Sequence, residues 1–248
     1  TVKYFVEHFS AQLLAEIDPE GFFIHSFPGS MDVAAMFRPH TKIQGGEIAD
    51  FQMPVSYFHY SESANLIMFE GHEPHLRWGD FTDCMMQIAH QYEVSQIYFI
   101  GSVAGLVPHT RQPHIFASAT TQDMKARLAG YNLKFSDYQG PASVTTYLMV
   151  KAARHKLPMA TIVATVPAYV EGRNPKCVFS VVKLLCGMLG LRQNLDKLLA
   201  ISDAFEKKLT EIVDQQPELA ANVRKLEEDY DKELFNQEMD DLKDWLEQ

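Results

Sequence analysis

The chain has 248 residues, 46% of them hydrophobic, and a formal net charge of −10. That length fits one α/β domain, or one domain with a helical appendage, and the apolar content builds a sizeable core, which excludes disorder for most of the chain. The acidic balance argues against nucleic acid as a partner, because phosphate binding needs a surplus of lysine and arginine on some face.

In chain order, residues 2–17 read as a helix with Val2, Phe5, Val6, Phe9, Leu13, Leu14 and Ile17 as its apolar positions, stopped by Asp18-Pro19-Glu20-Gly21. Thr1 opens straight into that pattern, so the chain reads as starting inside an element, as if residues preceded it. A short apolar run covers 22–27, and 30–51 reads as loop with at most a short helix, given Pro39 and Gly45-Gly46. Residues 55–60 and 65–71 read as strands, 80–91 as an amphipathic helix, and 95–101 (SQIYFIG) as the clearest central strand. A loop over 102–113 follows, then a β-rich stretch over 115–121 and a short helix over 123–129.

The stretch 138–170 carries the most information. Gly140-Pro141 opens a helix, Pro158 closes it, and an apolar run over 159–166 ends at Pro167-Ala168-Tyr169. This helix-to-strand unit delivers a proline and an aromatic to a strand's C-terminal end, where open α/β sheets bind ligands and partners. A helix over 174–191 follows, with Gly190 at its C-terminus. Strands alternating with helices imply parallel pairing with right-handed crossovers. Two further helical patterns, 194–215 and 217–248, end the chain. In the second, Leu219, Val223, Leu226 and Tyr230 keep a 4-3-4 spacing, and from Pro217 onward eleven acids face four bases, so this tail carries seven of the ten net charges. If wholly helical it is ~45 Å long at about 1.5 Å per residue. It reads either as a helix pair laid against the domain or as a projecting, oligomerising hairpin.

Cys84, Cys177 and Cys186, an odd number without a close pair, read as free buried thiols in a reducing compartment. No apolar run approaches the ~20 residues a bilayer requires, so the expected location is the cytoplasm. His72 and His75, with Glu70 and Glu73, offer metal-ligand chemistry in six residues. Pro74 interrupts any shared helical face, so they read as loop residues and no metal is expected. Gly101-Ser102-Val103 is not a nucleophile elbow, and neither a phosphate loop nor a dinucleotide fingerprint is present, so no catalytic residue and no cofactor is assigned. The loop GSVAGLVPHTR (101–111) combines backbone freedom at its glycines with donors at His109, Thr110 and Arg111. It reads either as a rim that meets an anion or an acidic partner, or as a crossover loop whose Arg111 pairs locally.

Gly71, Pro74, Arg77 and Trp78, then Gly101 with Val107-Pro108-His109-Thr110-Arg111, then Gly140-Pro141, Leu148, Pro158, Pro167-Ala168-Tyr169 and Asn174-Pro175 form an ordered series of turns. With the leucine-rich run to Leu191, this series resembles the proteasome assembly chaperone 2 family, also grouped with the ATP-grasp superfamily. The likeness covers about 2–199 and is closest to the prokaryotic branch. It implies an α/β, phosphorylase/hydrolase-like three-layer domain with a mainly parallel or mixed central sheet, here over 1–191, to which the sequence pattern adds a C-terminal helical hairpin over 194–248. It further implies self-association into homo-oligomers and a role in protein assembly. The ligase chemistry of the ATP-grasp label would need a basic, glycine-rich lid and an acidic metal set, which these residues do not supply. Family members carry a first strand and loop before the opening helix, absent from this sequence. Relatives that dock on proteasomes end in hydrophobic–Tyr–any residue, whereas here Glu247 stands at the Tyr position.

Two functional expectations result. In the first, the chain is a non-enzymatic, protein-binding assembly chaperone or scaffold. Its rim comprises Gly101, Ser102, Pro108, His109, Thr110, Arg111, Gly140, Pro141, Pro167 and Tyr169. In the second it is a small-molecule hydrolase or phosphorylase-like enzyme using the same rim, with Arg111 as anion clamp and His109 as acid/base in a concave pocket.

Overall fold

A computed structural model describes residues 1–131 and 133–246. In chain order its elements are α1 (Val2–His8), β1 (Gln12–Glu16), α2 (Met31–Ala35), β2 (His40–Gln44), β3 (Glu47–Gln52), β4 (Ser56–Ser61), β5 (Leu66–Gly71), α3 (Trp78–Gln91) and β6 (Ile97–Gly105). There follow β7 (Ile115–Ala119), α4 (Gln122–Ala129), β8 (Lys134–Phe135), α5 (Val144–Arg154), β9 (Met159–Pro167), α6 (Pro175–Leu189), α7 (Asp196–Asp214) and α8 (Pro217–Leu246). The expected helix end at Gln248 and the Glu247 position lie outside the described residues.

The helix expected over 2–17 is a helix followed by a strand. Ser10 adopts φ +46°, which ends α1, and residues 12–16 pair antiparallel with β4. Seven apolar positions satisfy a helical period, but ladder pairing with β4 outweighs that weak preference. Residues 30–51 hold more than a loop. Ser30 caps the short α2, and β2 and β3 form a hairpin in which Ile43 faces Ile48. Gly45 and Gly46 both have positive φ, +59° and +89°, the pair of left-handed residues that a two-residue hairpin turn requires.

Two larger sheets organise the rest. A three-stranded antiparallel sheet has the order β1-β4-β5, and a four-stranded sheet has the order β6-β9-β7-β8. In the latter β6 and β9 are parallel, β9 and β7 antiparallel, and β7 and β8 parallel. The sheet is therefore mixed, and the expected run of parallel pairings holds for two of its three neighbours. The central position belongs to β9, in which Met159, Ala160 and Ile162 are fully buried. Strand β6, expected to be central, stands at the sheet's edge. It also runs four residues past its expected end, because its register with β9 continues from Ile97↔Met159 to Gly105↔Pro167. The extension is SVAG, and its residues 102–104 are exposed.

Alternation along β9 directs the core. Ala160, Ile162 and Ala164 meet Phe5 of α1, Met124 and Leu128 of α4, and Val181, Val182 and Leu185 of α6. Met159, of opposite parity, joins Met86 of α3 with Leu148 and Ala152 of α5. Helices thus cover both faces of the mixed sheet. A separate cluster of Ile17, Phe22, Phe23, Phe58 and Phe81 closes the three-stranded sheet. Asn174 caps α6 by accepting a bond from the Cys177 N–H, and Gly190 ends that helix at φ +65°. Helix α7 packs on α6 and α8 on α7. Cys177 and Cys186 are buried and Cys84 half-buried, all as free thiols. Among the described residues no helix is long and apolar enough to cross a membrane.

Truncating Ile162, with no exposed surface, removes packing that β9's neighbours cannot refill. Ile162→Ala is expected to lower unfolding free energy by ~3 kcal/mol in urea titration. Ile43→Ala, at a side chain 64% exposed on the hairpin, is expected to change it by less than about 0.5 kcal/mol. Equal losses would contradict this assignment of the core.

Candidate functional site

The parallel pair β6/β9 brings Gly105 and Pro167 side by side, and the Ala168 N–H donates to the Gly105 carbonyl at 3.0 Å. The loop from β6 to β7 then folds over this strand end. His114 anchors its far side, where the Thr165 N–H and hydroxyl both donate to the His114 carbonyl at 2.9 and 3.0 Å.

His109 is the centre of the site and only 3% exposed. Its Nδ1 lies 2.8 Å from the Tyr169 hydroxyl, and its Nε2 lies 3.1 Å from Thr210 Oγ1 on α7. The Thr210 hydroxyl donates to the Glu206 carbonyl at 3.0 Å, so toward His109 it accepts. That places the ring proton on Nε2 and leaves Nδ1 to accept from the Tyr169 O–H. The Tyr169 oxygen accepts in turn from the His109 backbone N–H at 2.8 Å. The His109 carbonyl accepts from Lys176 Nζ at 2.8 Å, and Lys176 also pairs with Glu206 of α7. Each polar group of His109 is matched, as a buried polar cluster requires.

Thr110 and Arg111 face α8. The Thr110 hydroxyl donates to Glu227. The Arg111 guanidinium grips Asp231 with two bonds, Nε at 2.8 Å and Nη2 at 2.7 Å, and stands 3.7 Å from Glu227. The fork geometry suits a carboxylate. Beyond it Lys134 Nζ lies 2.7 Å from Glu233, His114 Nε2 lies 3.7 Å from Glu233, and the His114 ring packs on Tyr230. The hydrogen bond from Arg111 holds the Asp231 carboxyl below the usual range, and the one from Lys134 does the same for Glu233.

The expected rim residues therefore separate into groups. Pro108, His109, Thr110, Arg111, Pro167 and Tyr169 come together. Gly101 and Ser102 lie within β6, opposite Val163 and Ala164, below the strand end. Gly140 and Pro141 are held by Tyr138, whose hydroxyl donates to the Pro141 carbonyl at 3.2 Å, and just beyond them the Val144 N–H donates to Glu73 at 2.9 Å. Lys176, Glu206, Thr210, Glu227, Asp231 and Glu233 complete the site without having been assigned to it. Lys176 had one available signal. A lysine in a helix's first turn opposes the helix dipole, so its charge has to be matched elsewhere.

Chemically the site is an interlock. The cavity bordered by Val107, Pro108, His109, Pro167 and Cys177 is about 10 Å³. That is room for about one water, against roughly 300–1,000 Å³ for small-molecule sites. The concave pocket expected around His109 and Arg111 is thus filled by the chain's own α7 and α8. Burial pushes the Cys177 thiol up to about 11, so it is no nucleophile at neutral pH. A wider cleft of about 490 Å³ opens beside the site, between α6, the β7/β8 edge and α8. His72 and His75 take separate partners: the His72 ring approaches the Val55 carbonyl at 3.4 Å, and His75 accepts from the Ile24 N–H at 3.0 Å. Among the described residues no three potential ligands stand together to hold a metal ion.

Burial lowers the pKa of His109, opposed by Glu206, and also lowers that of His114, assisted by Lys134. Below the ordinary value of 6.5 the unfolded chain binds protons that these folded imidazoles refuse, so their stabilisation is complete above 6.5 and lost as pH falls through the depressed values. Taking the protein from about pH 7.5 to about 5.5 is expected to lower its melting temperature, and less so in a His109→Gln, His114→Gln double variant. A drop of equal size in both would contradict the neutral, buried assignment.

The fold has solved counterparts. A proteasome-assembly chaperone homologue of Mycobacterium tuberculosis matches with a TM-score of 0.76 at 23% identity, covering 90% of this chain and 91% of that one. A PAC2 family protein from Streptomyces avermitilis matches with a TM-score of 0.73 at 21% identity, with the same coverages of 90% and 91%. PbaB of Pyrococcus furiosus, an archaeal proteasome activator, matches with a TM-score of 0.63 at 14% identity over 85% of this chain and 86% of its own. No curated protein matches the sequence significantly. A model of the PAC2 family matches residues 1–213, from α1 through α6 and into α7, together with the His109–Tyr169–Thr210 interlock. The chain belongs to the PAC2 family.

Proposed function

We propose that this chain is a protein-binding assembly chaperone or scaffold that works without catalysis. The observation that carries the reading is the solid rim. With a cavity of only about 10 Å³ at His109 and its imidazole, guanidinium and hydroxyl groups tied to α7 and α8, it presents shaped side-chain surface where the second expectation placed a concave pocket. The names borne by its structural counterparts, a proteasome-assembly chaperone homologue and an archaeal proteasome activator, point the same way.

In this reading the phosphorylase/hydrolase-like three-layer domain spans 1–191, and the C-terminal hairpin over 194–248 buttresses its rim. The protein works in the cytoplasm, self-associates, and meets another protein at the rim without nucleic acid or membrane. Two apolar side chains at the end of the strand that leads into the interlock loop are exposed: Leu106, first residue after β6, is 82% exposed, and Val103 is 51% exposed. Large exposed apolar side chains next to a rigid polar frame suit a protein interface.

Tagged protein recovered from its own host is expected to bring down a stoichiometric protein. Leu106→Asp is expected to reduce that recovery at least about tenfold, because a charge in the interface core leaves a desolvated, unpaired group. An unchanged melting temperature would show that the exposed position leaves the fold intact. Equal recovery by wild type and variant would overturn the rim assignment.

A further inference from the structure

Helix α8 lies on the rim as a ligand would. Its acids Glu227, Asp231 and Glu233 meet Thr110, Arg111 and Lys134 in turn. Glu227 and Asp231 are spaced i, i+4, so they share one face of the helix. The apolar side chains of α8 divide along its length, with Leu226 and Tyr230 partly buried and Tyr230 packed on His114. Val223 is 4% exposed, but Leu234 remains 45% exposed and Phe235 62% exposed. Beside this part of α8 lies the cleft of about 490 Å³, walled by Leu133, Phe179 and Leu184 and lined from α8 by Tyr230, Glu233 and Leu234. The charges of α8 are matched to the rim while its apolar side chains leave the adjoining space unfilled.

We infer that the Arg111/Lys134 face is a groove for an acidic amphipathic helix of a partner protein, with α8 as its resident, displaceable occupant. This rests on the protein-binding reading above and names the partner's chemistry. The partner helix carries carboxylates at the spacing of Glu227, Asp231 and Glu233, and a bulky apolar residue where α8 offers Leu234. It takes the same three rim contacts and also fills the cleft. Displacing α8 uncovers Val223 and breaks the Thr110–Glu227 bond, costs that the incoming helix offsets by making the same contacts, while the carboxylates at 231 and 233 are already more than half exposed and return to water. Salt weakens both the resident and the incoming helix, since exposed ion pairs are screened.

The test uses the full chain carrying Glu227→Ala, Asp231→Ala and Glu233→Ala, which leaves the rim cations unmatched. The probe is a fluorescein-labelled synthetic peptide of residues 217–246, read by anisotropy. The opened variant is expected to bind it at least about tenfold tighter than wild type, in which the groove is filled, and adding Arg111→Ala is expected to abolish that gain. Hydrogen exchange on the wild type gives a second reading that needs no variant: excess peptide is expected to speed exchange of the protein's own α8 amides. Binding no tighter than wild type, binding indifferent to Arg111→Ala, or unaltered α8 exchange would each overturn the proposal. Dimerisation of the opened variant without peptide uptake would assign the groove to a second copy and also overturn it. Host-protein recovery that depends on Leu106 but is no greater in the opened variant would remove this inference while leaving the protein-binding reading in place.

Discussion

One buried imidazole holds the strand-end rim of this molecule together. His109 joins the strand end at Tyr169, the loop after β6 and, through Thr210, helix α7. Its carbonyl draws in Lys176 from α6, which returns the link to α7 at Glu206. Four segments distant in sequence meet at one residue. An unmatched polar group at that depth costs more than an average hydrogen bond contributes, so the segments are fixed as a unit. The loop 106–114 cannot shift without breaking its bond to α7, and α7 cannot lift without exposing the Lys176–Glu206 pair.

That constraint decides what kind of function the strand end supports. Open α/β sheets commonly place a crevice there, and a crevice was one expectation for this chain. Here the space is taken by the chain's own helices, and the groups suited to acid/base or anion work are spent on structure. What remains accessible is a firm surface with Leu106 projecting beside it and α8 lying across it. Membership of the PAC2 family fits such a surface, though function in any fold resides in its site.

Much of this was legible in the sequence because it depended on local rules. Gly140-Pro141 and Pro158 bracket α5, Asn174-Pro175 opens α6, and Pro167-Ala168-Tyr169 ends β9, each read from turn or cap chemistry. His109, Arg111 and Tyr169 were singled out together, and the structure joins His109 to Tyr169 across 60 residues. Other features depended on long-range pairing that no local pattern encodes. Residues 12–16 satisfy a helical period yet complete a sheet with β4. SQIYFIG is as apolar as a central strand, but β9 occupies the centre and leaves it the edge. The β2/β3 hairpin has a local signal, Gly45-Gly46 between Ile43 and Ile48, but beside Pro39 the same glycine pair suits an irregular loop equally well. The carboxylates of α8 were counted as tail charge because nothing in their spacing names Arg111 and Lys134 as partners.

The central claim is that the strand-end rim meets another protein. A photo-crosslinking amino acid placed at Leu106 in the full-length chain, irradiated in the native host, tests it most directly. The account predicts one dominant adduct with a different protein, identified by mass spectrometry, and none from the same probe at Tyr138 before α5. No adduct at Leu106, or the same diffuse pattern at both positions, would contradict it.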